Sequence, residues 1–300
     1  MSRLWRRARN DRPPRLGRQS AAATSGESPS RMRARAELST GLRSGPGGQQ
    51  RTCITGLRSQ APLMLHAAIA KEPEPWAAHA ADFARVCVAA GAAGPIGGDR
   101  LRLDVHVGPG SALVLSEASA TLLLPGRDGA RSRTDFRIHV DSAATLILLP
   151  EPIIAAHGCD HLNDVRVELA ADARLVMREE LLLGRHGEGP GRVRQRIRVL
   201  RTDAPVYSQD LELGTATAAA PAVADGHRAI GSLLVVDPTL DACSQETIGL
   251  PGDTRMMPLS TGAVVLSTLA GDHLALRRQI AAGLTVLGPP WDPLPPGPTH

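Results

Sequence analysis

The sequence predicts a mainly β fold built from stacked or meandering β-hairpin units, β-helix-like or a superhelical sheet, with one or two short helices near the C-terminus. The first observation is a repeat. VHVGPGSALVL (105–115), IHVDSAATLIL (138–148), VELAADARLVM (167–177) and IRVLRTDAPVY (197–207) can be superposed, with Val107, Val140, Leu169 and Val199 as equivalents spaced 33, 29 and 30 residues apart. The second is period-two alternation on both sides of a short turn (GPGS, DSA, AAD, RTD), the mark of half-buried strands joined by turn-forming residues. The third is composition. The chain is 42% hydrophobic but only 2% aromatic, so its core must come from Leu, Val, Ile and Ala. One such unit cannot bury its own apolar face, so neighbouring units must cover it.

Taken in order, residues 1–31 carry eight arginines and no usable period, and they read as a disordered basic segment or as translation from an upstream start. Met32 opens MRARAELS, a first strand and the expected true beginning. Residues 57–69 and 83–90 suggest two more strands before the repeat. In the repeat, Leu113, Leu146 and Leu175 follow the turn at matching places, whereas the fourth copy has Pro205 there. GSLLVVDP (231–238) reads as a short buried strand ended by Asp-Pro. Leu266, Leu269, Leu276 and Ile280 approximate a helical stripe, which predicts a helix over 269–283. Five prolines between Pro289 and Pro296 make 288–300 a tail, leaving 32–287 as one domain.

The net charge of +4 is carried by the first segment, since residues 1–31 contribute +6 and the remainder about −2. A basic nucleic-acid-binding face is therefore not expected on the folded part. Cys53, Cys87, Cys159 and Cys243 form no CxxC pair, which fits reduced thiols. No apolar run is long enough for a membrane span, and the basic N-terminus lacks a signal-peptide core, so the expected location is the cytoplasm, with neither membrane nor nucleic acid as partner. A second reading, a repeat-built β-domain enzyme or binding module for polysaccharides, would need a carboxylate pair and sugar-stacking aromatics. Six aromatics in 300 residues count against it.

Residues 92–126 contain Gly94-Pro95-Ile96-Gly97-Gly98-Asp99, then Val107-Gly108-Pro109-Gly110-Ser111, then Ala120-Thr121. Residues 148–185 contain an LPEP run and a strand pair ending in Gly184-Arg185. These stretches resemble the signature of the UreD (UreD/UreH) family of urease accessory proteins. The resemblance spans about 32–285, is densest over 92–185, and thins after 215; Leu122-Leu123-Leu124-Pro125 departs from the usual polar or aromatic residues there. It implies a non-enzymatic scaffold that binds UreF-like and UreG-like partners, docks on the urease apoprotein and helps insert nickel, with no permanently bound cofactor. The sequence has no G-x-x-x-x-G-K-[ST] phosphate loop, so in this reading GTP hydrolysis belongs to the UreG-like partner.

Candidate sites divide into two groups. His157, Cys159 and His161 would share one face of an extended strand, and two imidazoles with a thiol suit transient contact with nickel or zinc. Gly158 and Asp160 equally favour a turn whose polar groups face water. The resemblance also implies a nickel channel, for which Glu179, Glu180, Asp164 and Glu168 are the candidate lining carboxylates; each is otherwise a solvent-facing charge. Ser116 and Ser119 lack a nucleophile elbow and take no catalytic role. Arg192, Arg194, Arg196 and Arg198 would line one strand face, either as a docking surface for an acidic partner or as edge protection. His106, His139, His227 and His273 are scattered, and the sequence assigns them no role.

Overall fold

The computed structural model describes residues 31–69, 82–218, 220, 223–240, 246–260 and 262–288. The segment expected over 1–31 (Arg31 apart), the tail expected over 288–300 (Gly288 apart) and Cys243 lie outside these residues. The described chain begins with β1 (Arg33–Ser44), β2 (Gln50–Arg58), β3 (Leu63–Ala67), β4 (Ala84–Ala90), β5 (Arg100–Val107) and β6 (Ala112–Glu117). It continues through β7 (Thr121–Leu123), β8 (Ser132–Val140), β9 (Thr145–Leu149), β10 (Ile153–Ala155), β11 (Asp160–Leu169) and β12 (Arg174–Leu183). Then come β13 (Arg192–Arg201), β14 (Ala204–Leu213), the single turn α1 (Thr215–Ala218), β15 (Ala229–Val236), β16 (Ile248–Leu250), β17 (Asp253–Ser260), β18 (Ala263–Ala270) and α2 (His273–Leu287).

The strands make two sheets. The front sheet has the order β14-β13-β11-β8-β5-β1-β2; the back sheet has the order β16-β17-β18-β15-β12-β9-β6-β4-β3, with β10 beside β12 and β7. The mainly β, stacked architecture is the one expected. The pairing inside the repeat differs from the hairpin reading. In the first three copies the turn carries the chain from the front sheet to the back sheet, so β5 and β6, β8 and β9, and β11 and β12 are halves of successive coils. Each half pairs in parallel with the same half of the next coil: Val107 with Val140 and Val140 with Leu169 in front, Leu113 with Leu146 and Leu146 with Leu175 behind. The turns stack too, with Asp141 N donating to Val107 O at 3.0 Å and Ala170 N to Val140 O at 2.9 Å. Alternation looks the same whether a strand's partner is its neighbour in sequence or the next coil, which is why the sequence suggests hairpins.

The fourth copy does close as a hairpin. Thr202 and Asp203 both take positive φ (50° and 64°), the conformation a two-residue turn between antiparallel strands needs, and β14 folds back on β13. Its register also differs from the one read off the sequence, since Leu169 pairs with Arg201 and Val167 with Val199. A slip of two residues keeps every side chain on its original face, so the apolar pattern does not report it.

Burial follows from the layering. The front strands alternate because one face meets water, whereas residues 112–115 of β6 and 146–148 of β9 are continuously apolar and buried on both faces. Leu103, Val105, Ile138, Val165 and Ile197 of the front sheet pack against Leu115, Leu146, Leu175 and Leu234 of the back sheet. On the far side of the back sheet, Val114, Ile147, Val176 and Leu266 pack against Leu276 and Ile280 of α2. The predicted helix is therefore present but begins later than 269. Leu266 and Leu269 belong to β18, and Asp272 caps α2 by accepting from Ala275 N at 2.8 Å.

Candidate functional site

Side-chain alternation decides what faces the interior. On β11 the odd positions point between the sheets and the even ones outward, and the register carries this across the front sheet. Ser132 and His161 lie beside Val193; Thr134, Asn163 and Gln195 form the next row; Phe136, Val165 and Ile197 form the one after. The space between the sheets is thus apolar over most of its length and polar at one end. That end opens into a cavity of about 120 Å³ lined by Glu117, His161, Asn163, Met177, Glu179 and Gln195 among others.

Glu179 is a buried titratable group in its lining. Gln195 Nε2 donates to its carboxylate at 2.6 Å, and no basic side chain among the described residues pairs with it. Burial pushes the Glu179 carboxyl up to about 7, a rise that the Gln195 hydrogen bond only partly offsets. Burial does the same to Glu117, also to about 7. Asn163 Oδ1 and Glu117 Oε2 are buried with no hydrogen-bond partner among the described residues. The protein therefore holds two carboxyls and a free amide oxygen in low dielectric, a costly arrangement typical of functional sites and suited to receiving a cation.

The four predicted channel carboxylates separate. Glu180, next to Glu179 on β12, points to the opposite face. There it accepts from Arg277 Nε and Nη2 at 3.1 and 3.0 Å, with His273 Nε2 at 2.9 Å and Arg178 Nε at 3.4 Å. Burial alone would raise its carboxyl, but Arg277, Arg178 and His273 outweigh that and hold it below the usual range. Asp164 has no exposed side-chain surface, yet it sits on the outer face of the front sheet. Arg133 donates to it at 3.1 Å, while Arg137, Arg166 and Arg196 lie 3.5–3.9 Å away. Glu168 is on the same outer face and 65% exposed. Of the four, Glu179 and Glu180 both border the cavity, and the Glu179 side chain is the one that points between the two sheets.

The predicted His-Cys-His face is not a strand face. His157 and Gly158 form a turn, and β11 starts at Asp160. His157 is exposed, whereas Cys159 and His161 are buried. Burial, with a smaller push from Asp160, raises the Cys159 thiol to about 11, and burial lowers His161 to about 4. A protonated thiol is a poor metal donor. His161 Nδ1 instead lies 2.9 Å from Ser132 Oγ. β13 is not an edge strand, and three of its four outward arginines, Arg192, Arg194 and Arg196, are held by acids. β13 is paired on both sides; Arg192 donates to Glu212, and Arg194 and Arg196 donate to Asp210.

The comparisons with known proteins bear on this arrangement. The UreD urease accessory protein family model matches residues 32–296, nearly all of the described chain. The chain belongs to the UreD urease accessory protein family. It is 39% identical over 207 residues to the urease accessory protein UreD of Streptomyces coelicolor, covering 68% of this chain and 82% of that one. It is 36% identical over 295 residues to the urease accessory protein UreD of Frankia alni, covering 86% and 97%. Within this UreD chain the GPIGGD segment is structural. Asp99 accepts from Ile96 N at 2.9 Å and from Met32 N at 2.8 Å, tying the start of β1 to the loop before β5. Asn163 and Gln195 were not singled out in the sequence. Their signal was polar residues at inward positions of strands otherwise apolar there. No helix among the described residues is long and apolar enough to cross a membrane.

Glu179 gives a pH prediction. Its carboxyl is near 7 folded against an ordinary 4.5, so folding takes up a proton between those values. Its contribution to stability is then complete below the unfolded value and is lost as pH rises through the folded one. Glu179→Gln should flatten part of the fall in unfolding free energy between about pH 5 and 8, and should gain about 1–3 kcal/mol over the parent at about pH 8. Urea titrations across that range measure it; a variant no more stable than the parent at the alkaline end refutes the assignment.

Proposed function

We propose that this UreD-family chain is a non-catalytic scaffold for urease maturation, and that the cavity around Glu179 conducts nickel toward the urease apoprotein. UreF-like and UreG-like proteins are the partners in this reading, acting in the cytoplasm, with GTP hydrolysis supplied by the UreG-like one. The observation that supports the route is Glu179 itself, a buried carboxyl that among the described residues is paired with an amide and no cation, in a cavity between the sheets. A divalent cation entering would displace the proton and offset the cost of the buried carboxylate charge that this leaves. Glu117 on the back sheet and Asn163 on the front sheet supply further oxygens to the same cavity. Because nickel is cargo, weak contact with few donors serves passage better than a closed ligand cage.

The test is complementation. Cells lacking this chain but carrying apo-urease and the other accessory proteins are supplied with the parent, Glu179→Ala, or exposed Glu246→Ala as control. The parent and Glu246→Ala should restore urease nickel content and activity. Glu179→Ala should fall by about tenfold or more, the scale of a lost polar contact at a functional site, with chain and complex levels unchanged. Full maturation in cells without the chain would sink the accessory role; full activity with Glu179→Ala would sink the route while leaving that role intact.

A further inference from the structure

The coil repeat brings together two histidines that are 33 residues apart in sequence. His106 of β5 and His139 of β8 are direct partners in the parallel register, and Glu168 of β11 is the next residue along that row. All three are on the outer face of the front sheet, because Val105, Val107, Ile138 and Val140 beside them are in the core. Asp141, just past β8, completes the group. Its Oδ2 is 2.7 Å from His106 Nε2 and its Oδ1 is 3.0 Å from His139 Nε2. The imidazole centroids are 5.6 Å apart. Among the described residues, these are the three His, Cys, Asp or Glu side chains whose donor atoms all lie within 4.8 Å of one another.

We propose that His106, His139 and Asp141 form a binding site for a borderline divalent cation such as Zn²⁺ or Ni²⁺, on the opposite face of the front sheet from the cavity. Two imidazoles and one carboxylate match the donor preference of such ions and not that of Mg²⁺ or Ca²⁺. Donor atoms bound to one ion at about 2.0–2.2 Å sit about 3 Å apart, so modest side-chain rotation takes this group from mutual hydrogen bonding to coordination. The second carboxylate strengthens the case. Glu168 Oε2 lies 3.5 Å from His139 Nδ1, on the side away from Asp141. There it can accept that N–H and leave Nε2 free as a donor, the usual outer partner of a metal-bound imidazole.

The surrounding charges permit a cation. Arg137 donates to Asp135 and lies 3.6 Å from Asp164, and Arg166 is 3.5 Å from Asp164, so the nearby guanidiniums are engaged with other acids. Asp104 is held by Arg102 and Arg35. Both imidazoles are 53% exposed, which leaves open positions on the ion for water or for a ligand from another protein. The site is thus suited to exchangeable rather than structural metal. It does not depend on the reading of Glu179.

Calorimetric titration of the full chain with ZnCl₂, NiSO₄ and MgCl₂ tests the proposal, comparing the parent with His106→Gln/His139→Gln and with Glu168→Gln. The parent should bind one more equivalent of Zn²⁺ or Ni²⁺ than the double variant, and Mg²⁺ should show no such difference. Glu168→Gln should keep the stoichiometry and weaken this equivalent by about tenfold or more. X-ray absorption of the metal-loaded parent should show imidazole scattering that the double variant loses. Equal stoichiometry and affinity in parent and double variant, or no saturable binding by the parent, would overturn it. Should the double variant melt lower than the parent, Asp141→Asn is read in the same assay, and unchanged binding there is equally fatal.

Discussion

Glu180→Ala should lower the unfolding free energy by about 3–5 kcal/mol, because it removes the anion from a buried cluster and strands the cations around it. The Glu180 side chain has no exposed surface. It holds Arg277 and His273 of α2 against β12, and Arg178 of β12 approaches the same carboxylate. Without it, Glu151 is the remaining acid nearby, 2.9 Å from Arg277 and 3.8 Å from Arg178. Because the cluster joins the helix to the back sheet, the loss should be local first. Amide exchange in α2 should accelerate more than exchange in β11 or β13. Glu180→Gln, which keeps the volume and some acceptor capacity, should lose less. Urea unfolding with exchange mass spectrometry reads both effects; a change in stability under about 1 kcal/mol would mean that the cluster is screened like a surface pair.

Gly97→Ala should cost about 3 kcal/mol or more through overpacking against backbone. A Cβ on Gly97 would lie 2.4 Å from Gly126 N and 2.6 Å from Ala130 O, and neither atom can rotate away. Gly97 N also donates to Leu124 O at 3.0 Å, so the loop before β5 and the loop after β7 are held at that distance. Making room would pull apart the loop in which Asp99 anchors Met32. Gly271→Ala is the control: nothing lies within 4 Å of its would-be Cβ, and it should change stability by less than about 0.5 kcal/mol. Thermal melts of the two variants decide; equal melting temperatures would show that the loops separate without cost.

Both predictions concern residues whose importance is visible in the sequence for a different reason. The GPIGGD run suggested a family before it suggested a clasp. Glu180 was grouped with Glu179 as a channel carboxylate, although adjacent strand residues must face opposite ways. Once β12 was placed between the front sheet and α2, one of the pair had to enter the core and the other had to meet the helix. The same logic moved Asp164 and Glu168 to the outer face, where arginines and a histidine take them up.

The residues 157–161 failed as a strand face because Gly158, at φ 77°, turns the chain just before β11 begins. The helix begins later than the stripe suggests because Leu266 and Leu269 fit a helical stripe as well as a buried strand. Asp272, as the cap, was the residue that distinguished them.

By itself the sequence determined the β class, the coil length, the register of Val107, Val140 and Leu169, the family, and the apolar strand pattern. These follow from local periodicity and from motifs contiguous in the chain. Only the tertiary structure decided which strand pairs with which. That in turn set which carboxylate lies inside, which polar residues line the cavity, and which histidines meet outside. His106 and His139 precede equivalent valines in successive coils, so the repeat register carried their proximity all along. Reading it required knowing that the coils stack in parallel, a fact of hydrogen bonding between distant strands that alternation within one strand does not encode.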